Sequence, residues 1–185
     1  MPSRIGFLPT RRVQAIAAVH DLLSDERRLG GTTVDVIARH AADEAYGTLI
    51  PPGLSVMFDI PSTDVRVHSK QATILALLIN ELVANAVKHG FANRTTGKVS
   101  IHAREDQGYA VVEIANDGEA IPGDFDPSSG THGLGMRIIH RLVTADLHGD
   151  FRIGPTEGGS IAVLRFPIVH EPRDSTAANA ALAVA

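Results

Sequence analysis

The hydrophobic positions of this chain switch between helical and strand-like spacing along most of its length. Apolar residues recur three and four positions apart in residues 11–26, 34–46, 69–89 and 134–148, which predicts four amphipathic helices. Shorter apolar runs of strand type predict strands at residues 54–60, 65–68, 98–105, 109–116, 151–153 and 161–168. Because strands are grouped with helices between them, we expect an α+β fold with helices on one face of a mixed sheet.

Turn residues separate these elements and predict two hairpins. Asp106-Gln107-Gly108 lies between two alternating runs, and Thr156-Glu157-Gly158-Gly159 lies between two others. Thr33 stands directly before the second helical run and is the expected N-cap. Residues 118–131 are rich in Gly, Pro, Ser and Asp and form a segment too long for a simple turn.

The composition bounds the class of protein. A chain of 185 residues with 44% hydrophobic content suits one domain with a proper core. The formal charge of −4, with no basic stripe, argues against nucleic acid as the main partner. The absence of cysteine excludes disulfides, thiolate metal sites and cysteine catalysis. No apolar run approaches the ~18 residues of a membrane span, and residues 1–10 lack a signal-peptide core. We therefore expect a cytoplasmic protein without a membrane partner.

The helical run at residues 69–89 carries the strongest chemical pattern. Glu81, Asn85 and His89 are four positions apart and share one face, and Lys88 lies one turn beyond Asn85. The apolar residues Ile74, Leu78 and Leu82 fall on this same face of the helix or directly beside it. Carboxylate and amide oxygens suit magnesium, and a lysine suits a phosphate. The alternative interpretation is the solvated margin of an amphipathic helix.

Two glycine-containing segments follow this helix. Residues 115–122 come directly after the strand at 109–114, and residues 130–136 open the last helical run. Glycine backbone beside a helix N-terminus presents amide N–H groups to phosphates. Either segment alone is a weak signal, but the order of helix, strand, glycine turn, loop and glycine turn is much more specific.

This order resembles the ATP-binding domain of the GHKL superfamily, which includes gyrase, a heat-shock ATPase chaperone, histidine kinases and mismatch-repair ATPases. Residues 80–91 resemble its N-box, residues 116–122 its first glycine box and residues 133–136 its second. Within the superfamily the pattern is most similar to sensor histidine kinases of the HWE-like type. The resemblance covers roughly residues 11–169 and implies a two-layer Bergerat sandwich preceded by an N-terminal helix.

The resemblance also divides the chain. Residues 12–23 are similar to the second helix of the kinase dimerisation hairpin, so residues 1–30 are interpreted as a hairpin remnant and residues 11–23 as a surface for homodimerisation. Residues 31–170 form the ATP-binding domain, and residues 171–185 are expected to be a disordered tail. His20 lies in the hairpin likeness but not at the phosphoacceptor position, which belongs to a preceding helix. The ten residues before Arg11 contain no histidine.

The site residues follow from matching the boxes. ATP and magnesium are the implied cofactors, with Asn85 as a direct magnesium ligand and Glu81 holding a magnesium-bound water or orienting a nucleophile. Lys88 and His89 are expected to reach the phosphates. The boxes assign further nucleotide contacts to Asn116, Asp117, Gly118, Ala120, Ile121, Gly133, Leu134, Gly135 and Met136. Residues 124–130 resemble a mobile lid over the nucleotide, with a plain loop as the alternative.

The first glycine box departs from the family pattern, Asp-x-Gly-x-Gly. Asn116 stands where the family has the aspartate that accepts a hydrogen bond from the adenine amino group, and Ala120 replaces the second glycine. An asparagine oxygen can accept the same bond, but the bond is weaker than one to a carboxylate. Asp117 is the neighbouring alternative.

The resemblance implies the catalytic domain of a sensor histidine kinase. In the intact family this domain phosphorylates a histidine on a dimerisation domain, and the phosphate passes to a response regulator. The first alternative is an anti-sigma-factor-type GHKL protein that phosphorylates a serine and sequesters a partner. The second is a degenerate ATP-binding interaction module. Residues 11–23 favour the kinase, because an anti-sigma protein has no reason for a dimerisation-hairpin helix.

Overall fold

The computed structural model describes residues 31–127 and 134–169. The helices are α1 (Val34–Thr48), α2 (Ser69–Asn85) and α3 (Leu134–Arg141). The strands are β1 (Thr32–Thr33), β2 (Ser55–Asp59), β3 (Arg66–Val67), β4 (Thr96–Asp106), β5 (Tyr109–Asn116), β6 (Asp150–Thr156) and β7 (Gly159–Pro167). The predicted hairpin helix at residues 12–23 and the predicted tail at residues 171–185 lie outside the described residues.

Five strands form the main sheet in the order β2-β4-β5-β7-β6. The β2–β4 pair is parallel, and the other three pairs are antiparallel. The predicted mixed sheet is therefore confirmed. A second, two-stranded antiparallel sheet pairs β1 with β3. This small sheet was not predicted in full, because a two-residue strand shows no alternation of apolar and polar positions.

Alternate residues of the central strands enter one hydrophobic core together with the helices. The fully buried side chains of this core include Val99 and Val112 from the sheet and Leu75, Leu78 and Ile79 from α2. Strand side chains alternate between the two faces of a sheet, so this set marks the face that the helices cover. The predicted two-layer arrangement is confirmed.

Helix α2 begins at Ser69, as predicted, but its regular part ends at Asn85. A wider, π-type turn then covers Ala86–Gly90, and a similar turn, Leu142–Asp146, follows α3. Hydrophobic spacing does not distinguish one widened turn from a continuous helix, so the runs at 69–89 and 134–148 were each predicted as one helix.

The predicted hairpin turn at Gln107-Gly108 and the predicted N-cap at Thr33 lie where the sequence places them. The N-cap differs from the expectation in its side-chain hydrogen bond. Gln107 and Gly108 have φ values of 53° and 81°, which is the signature of a type I′ hairpin turn. Thr33 occupies the N-cap of α1 in an extended conformation, but its side chain makes no capping hydrogen bond. The first helical N–H, of Val34, instead donates to the carbonyl of Val65 at 3.0 Å. Within residues 31–127 and 134–169, no helix has the length and apolar character needed to cross a bilayer.

Candidate functional site

Two neighbouring side chains of α2, Asn80 and Glu81, contact different segments of the chain. Asn80 Nδ2 donates to Glu44 Oε2 of α1 at 2.9 Å. On the next residue, the Glu81 carboxyl lies so close to Gly135 that a Cβ atom at Gly135 would overlap it. The N-box helix and the second glycine box are therefore in contact, and a side chain at Gly135 would displace the Glu81 carboxyl.

Asn85 follows Glu81 by one turn and is half-buried. Its side chain has no hydrogen-bond partner among the described residues, although an unpaired amide at a partly buried position is costly. Lys88 and His89 are exposed on the widened turn, and within the described ranges neither has an ion-pair or hydrogen-bond partner for its side chain. Within the part of the chain that the structure describes, these three polar groups are available to a ligand.

The widened turn moves Lys88 away from Asn85. A π-type turn rotates each residue by less than the ~100° of an α-helix, so Lys88, three positions after Asn85, lies farther from the Asn85 face than a regular helix would place it. Lys88 lines a groove of about 630 Å³ beside the loop that leads into β2. The groove is lined by Leu49, Pro51, Pro52, Gly53, Leu54, Ala84, Val87, Lys88, Phe91, Ala92 and Arg94.

The end of the N-box meets the first glycine box backbone to backbone. Glu119 N donates to Gly90 O at 2.8 Å. A Cβ atom at Gly118 would overlap the Gly90 carbonyl, so both positions depend on glycine for this close approach. The second glycine box thus contacts α2 at Glu81, and the first contacts the end of the widened turn at Gly90.

The Asn116 oxygen is engaged inside the first glycine box. Gly118 N donates to Asn116 Oδ1 at 3.0 Å, which is an Asx turn. On the other side, a Cβ atom built at Gly90 would lie only 2.8 Å from Oδ1. The oxygen is therefore enclosed between Gly118 N and Gly90, whereas no described residue accepts a hydrogen bond from Asn116 Nδ2.

Asp117, the alternative base-binding residue, is held by other parts of the chain. Asp117 Oδ1 accepts from Lys98 N at 2.7 Å, and Asp117 N donates to Lys98 O at 3.1 Å. Arg94 donates to the Asp117 carbonyl, and Arg94 Nη2 lies 3.6 Å from Asp117 Oδ2. Asp117 therefore fixes the glycine box to β4 and to Arg94, and Asn116 is the residue of the pair that lies against Gly90.

Strand β7 supports the glycine box from behind. The Ser160 hydroxyl is buried, accepts from Ile121 N at 2.9 Å and lies 3.4 Å from Glu119 O, to which it can donate. A Cβ atom at Gly159 would overlap the Asn116 carbonyl. Spacing along the sequence gives no sign of a role for Ser160 or Gly159, because their position opposite the box depends on the long-range β5–β7 pairing.

The remaining predicted site residues differ in whether their side chain or only their backbone can contact a nucleotide. Ala120 is exposed at the edge of the first box. Met136 packs in the hydrophobic core, so its backbone alone is available. Gly133 lies outside the described residues, and Leu134 is the first residue of α3, directly before Gly135.

The fold and the three clustered boxes define a two-layer sandwich domain of GHKL type. Residues 70–170 match the family described as histidine kinase-, DNA gyrase B- and HSP90-like ATPase. The chain belongs to this family.

Relatives and solved structures agree with this assignment. The sensor histidine kinase PdtaS of Mycolicibacterium smegmatis is 32% identical over 176 residues, which is 88% of this chain and 32% of the relative. The histidine kinase domain of the Erythrobacter litoralis EL346 blue-light-activated kinase has a TM-score of 0.67 at 25% identity and covers 86% of this chain and 74% of its own. The ATP-binding domain of PrrB from Mycobacterium tuberculosis shares the fold, with a TM-score of 0.60 at 23% identity, covering 75% of this chain and 96% of its own. The chain spans about one third of the length of the curated relatives it matches.

Proposed function

We propose that this chain is the ATP-binding catalytic domain of a sensor histidine kinase. The observation that carries the proposal is the half-buried amide of Asn85, which has no partner among the described residues and lies between Glu81, beside Gly135, and Gly90, beside Gly118. The family is one of ATPases, and the curated relatives are sensor histidine kinases. Because those relatives are much longer than this chain, the kinase activity of the relatives is a proposal for this chain.

The described residues fit magnesium-bound ATP. Asn85 would supply an oxygen to the ion, Glu81 would hold one of its waters, and the phosphates would supply most of the negative charge. The backbone at Gly118 approaches that of Gly90 so closely that no side chain fits, and Gly135 lies against the Glu81 carboxyl. Such glycine backbone can present N–H groups to a phosphate chain. Magnesium neutralises charge as the γ-phosphoryl group is transferred; the chain's own groups position the nucleotide.

Lys88 and His89 are proposed as contacts to the phosphates. Both are exposed cationic or titratable side chains without partners among the described residues. His89 follows Asn85 by four positions and remains near its face, whereas Lys88 is turned toward the groove beside residues 49–54. Lys88 therefore has to extend around the helix end to reach a nucleotide held by Asn85.

The proposed partners are a histidine-bearing dimerisation domain and, after it, a response regulator, in a cytoplasmic signal-transduction system. A homodimer through residues 11–23 belongs to the same proposal. The serine-kinase alternative is less favoured, since the curated relatives are sensor histidine kinases.

Phosphotransfer from radiolabelled ATP tests this function. We expect the 185-residue chain to bind magnesium-ATP and not to label itself, because transfer needs an acceptor nitrogen held near the γ-phosphate. A separate polypeptide carrying a kinase dimerisation hairpin should acquire weak, acid-labile label. Acid-stable label on a serine of the acceptor would favour the alternative. Acid-labile label on the chain itself that is lost in His20→Ala would make His20 the acceptor and contradict this interpretation.

A further inference from the structure

The end of the β4–β5 ladder is completed by a side chain where a backbone group is expected. In a hydrogen-bonded antiparallel pair, the two opposite residues exchange two backbone N–H···O bonds. Lys98 and Asp117 stand opposite each other, next to the last pair of the ladder, and Asp117 N donates to Lys98 O at 3.1 Å. The return bond differs, because Lys98 N donates to the side-chain oxygen Asp117 Oδ1 at 2.7 Å. The carboxylate therefore takes the place of the Asp117 backbone carbonyl.

The Asp117 carbonyl is thereby released from the sheet and is bound elsewhere. It accepts a hydrogen bond from the guanidinium of Arg94, in the loop before β4. Arg94 Nη2 also lies 3.6 Å from Asp117 Oδ2, so Asp117 is held through both its main chain and its side chain. A strand whose carbonyl turns away from its neighbour leaves the sheet at that residue. The chain of the first glycine box departs from β4 at this point, one residue before Gly118.

This departure has to be accurate, because the box packs backbone to backbone against the end of the N-box. Gly118 N donates to Asn116 Oδ1 at 3.0 Å, and Glu119 N donates to Gly90 O at 2.8 Å. A shift of about 1 Å in the chain after Asp117 would take these pairs beyond hydrogen-bond distance. The place of Asn116 and Gly118, two of the proposed nucleotide contacts, therefore depends on how Asp117 is held.

We infer that Asp117 is a positioning residue for nucleotide binding, which acts through Asn116 and Gly118 and does not itself contact the nucleotide. This inference rests on the proposed nucleotide site and gives Asp117 a role other than base binding. One of its oxygens accepts from Lys98 N, and the other faces Arg94. An asparagine oxygen can accept the same bond from Lys98 N, whereas alanine cannot.

Titration calorimetry with magnesium-ATP compares the parent with Asp117→Ala and Asp117→Asn. We expect Asp117→Ala to weaken binding about tenfold, because the carboxylate bond that fixes the box to β4 is lost. Asp117→Asn should recover most of this loss, since it keeps an acceptor for Lys98 N. The Asp117 side chain is 46% exposed, so the unfolding temperatures of both variants should stay close to that of the parent.

A nucleotide without the amino group of adenine separates positioning from base contact. Purine riboside triphosphate carries a hydrogen where ATP carries this group. If Asp117 positions the box, Asp117→Ala should weaken the binding of both nucleotides by the same factor. If Asp117 accepts from the amino group, the substitution should weaken the binding of ATP alone.

Amide hydrogen exchange in the absence of nucleotide tests the same inference independently of binding. The Gly118 and Glu119 amides should exchange faster in Asp117→Ala than in the parent, because their hydrogen bonds open more often. Asp117→Asn should protect both amides as the parent does. Glu113→Ala is the matched control, since it removes a carboxylate from the same strand four positions earlier. Its exchange and its affinity for ATP should equal those of the parent.

Three outcomes would overturn the inference alone. They are parental ATP affinity in Asp117→Ala, a loss confined to ATP, and a loss in Asp117→Asn as large as that in Asp117→Ala. The last would show that the charge beside Arg94 matters and the bond to Lys98 N does not. Failure of the parent to bind either nucleotide would contradict the proposed function and this inference together, which distinguishes it from the other three outcomes.

Discussion

The two ends of helix α2 use their polar residues in opposite ways. At the N-terminal end, Gln71 is buried, and its amide donates to Pro167 O at 2.7 Å and accepts from Val169 N at 3.4 Å. His68 caps the helix by accepting from Lys70 N at 3.2 Å. Every one of these bonds fixes the helix to itself or to the end of β7.

At the C-terminal end, the helix widens, and three of its polar side chains have no partner among residues 31–127 and 134–169. Asn85, Lys88 and His89 make no hydrogen bond or ion pair through their side chains within the described part of the chain. Apolar side chains of the second end, among them Leu82, Val83 and Val87, are buried in the core, so its polar side chains are not needed to hold it in place. The difference between the two ends suggests a division along one helix, with stability at the first end and the proposed ligand binding at the second, and mutations can test each end separately.

The largest expected effect is on stability, at the anchored end. Gln71→Ala leaves the Pro167 carbonyl and the Val169 N–H without their partner, which should lower the free energy of unfolding by about 1–3 kcal/mol. Urea denaturation measures this loss, with the exposed Lys70→Ala as the control. Unfolding of Gln71→Ala at the parental urea concentration would mean that water replaces both bonds without cost, and that the anchor is unimportant.

The next effect is on binding, at the open end. Asn85→Ala removes the proposed magnesium ligand and should weaken magnesium-dependent ATP binding about tenfold or more, on the order of 1.4 kcal/mol. Stability should change little, because the Asn85 side chain has no partner to lose in the described residues.

Asn80→Ala is the matched control for Asn85→Ala, because it makes the same change on the same helix. Asn80 is bonded to Glu44, so its loss should reduce stability by about 1 kcal/mol and leave ATP affinity unchanged. If Asn85→Ala binds ATP as the parent does, Asn85 is not part of the site and the division of the helix is disproved.

The smallest effect is at an exposed charge pair between β2 and β4, which provides a reference for the other two. Lys98 Nζ lies 2.8 Å from Asp59 Oδ2, and the hydrogen bond and charge of Lys98 hold the pKa of Asp59 below its ordinary value of 3.8. A lowered pKa stabilises the fold above the unfolded-state value, and the contribution is lost as the pH falls through the folded-state value. Lys98→Met should raise the pKa of Asp59 toward 3.8 in an NMR titration, with almost no change in stability at neutral pH. A pKa of Asp59 unaffected by this substitution would show that the pair does not persist in solution.

Much of the fold could be predicted because its signals are local. Strand β5 coincides with the predicted 109–116, and the hairpin turn at Gln107-Gly108 follows from its composition. The contacts that build the site are long-range and could not be read from spacing. The contact between the Asn116 oxygen and Gly90, for example, joins residues that are twenty-six positions apart.

The sequence names candidate residues for the site, and the structure adds which of their polar groups are already bonded within the described residues. Asn116 is the residue that the family pattern predicts for the base, with Asp117 as the neighbouring alternative, and the hydrogen bonds of Lys98 and Arg94 distinguish the two. Gln71 looked like an ordinary residue of a helical run, because its partners on β7 lie almost a hundred positions later.

The pairing of β5 with β7 determines where the chain can accept inserted residues. The register places Asn116 opposite Ser160, so the chain between them, which contains the glycine boxes and α3, starts and ends at neighbouring points of the sheet. Doubling the length of a flexible loop with fixed ends costs only about 0.6 kcal/mol. Insertions in the exposed stretch around Gly123 and Asp124 should therefore leave the strand register intact. That stretch is where a reporter domain or a new recognition loop is most readily accommodated.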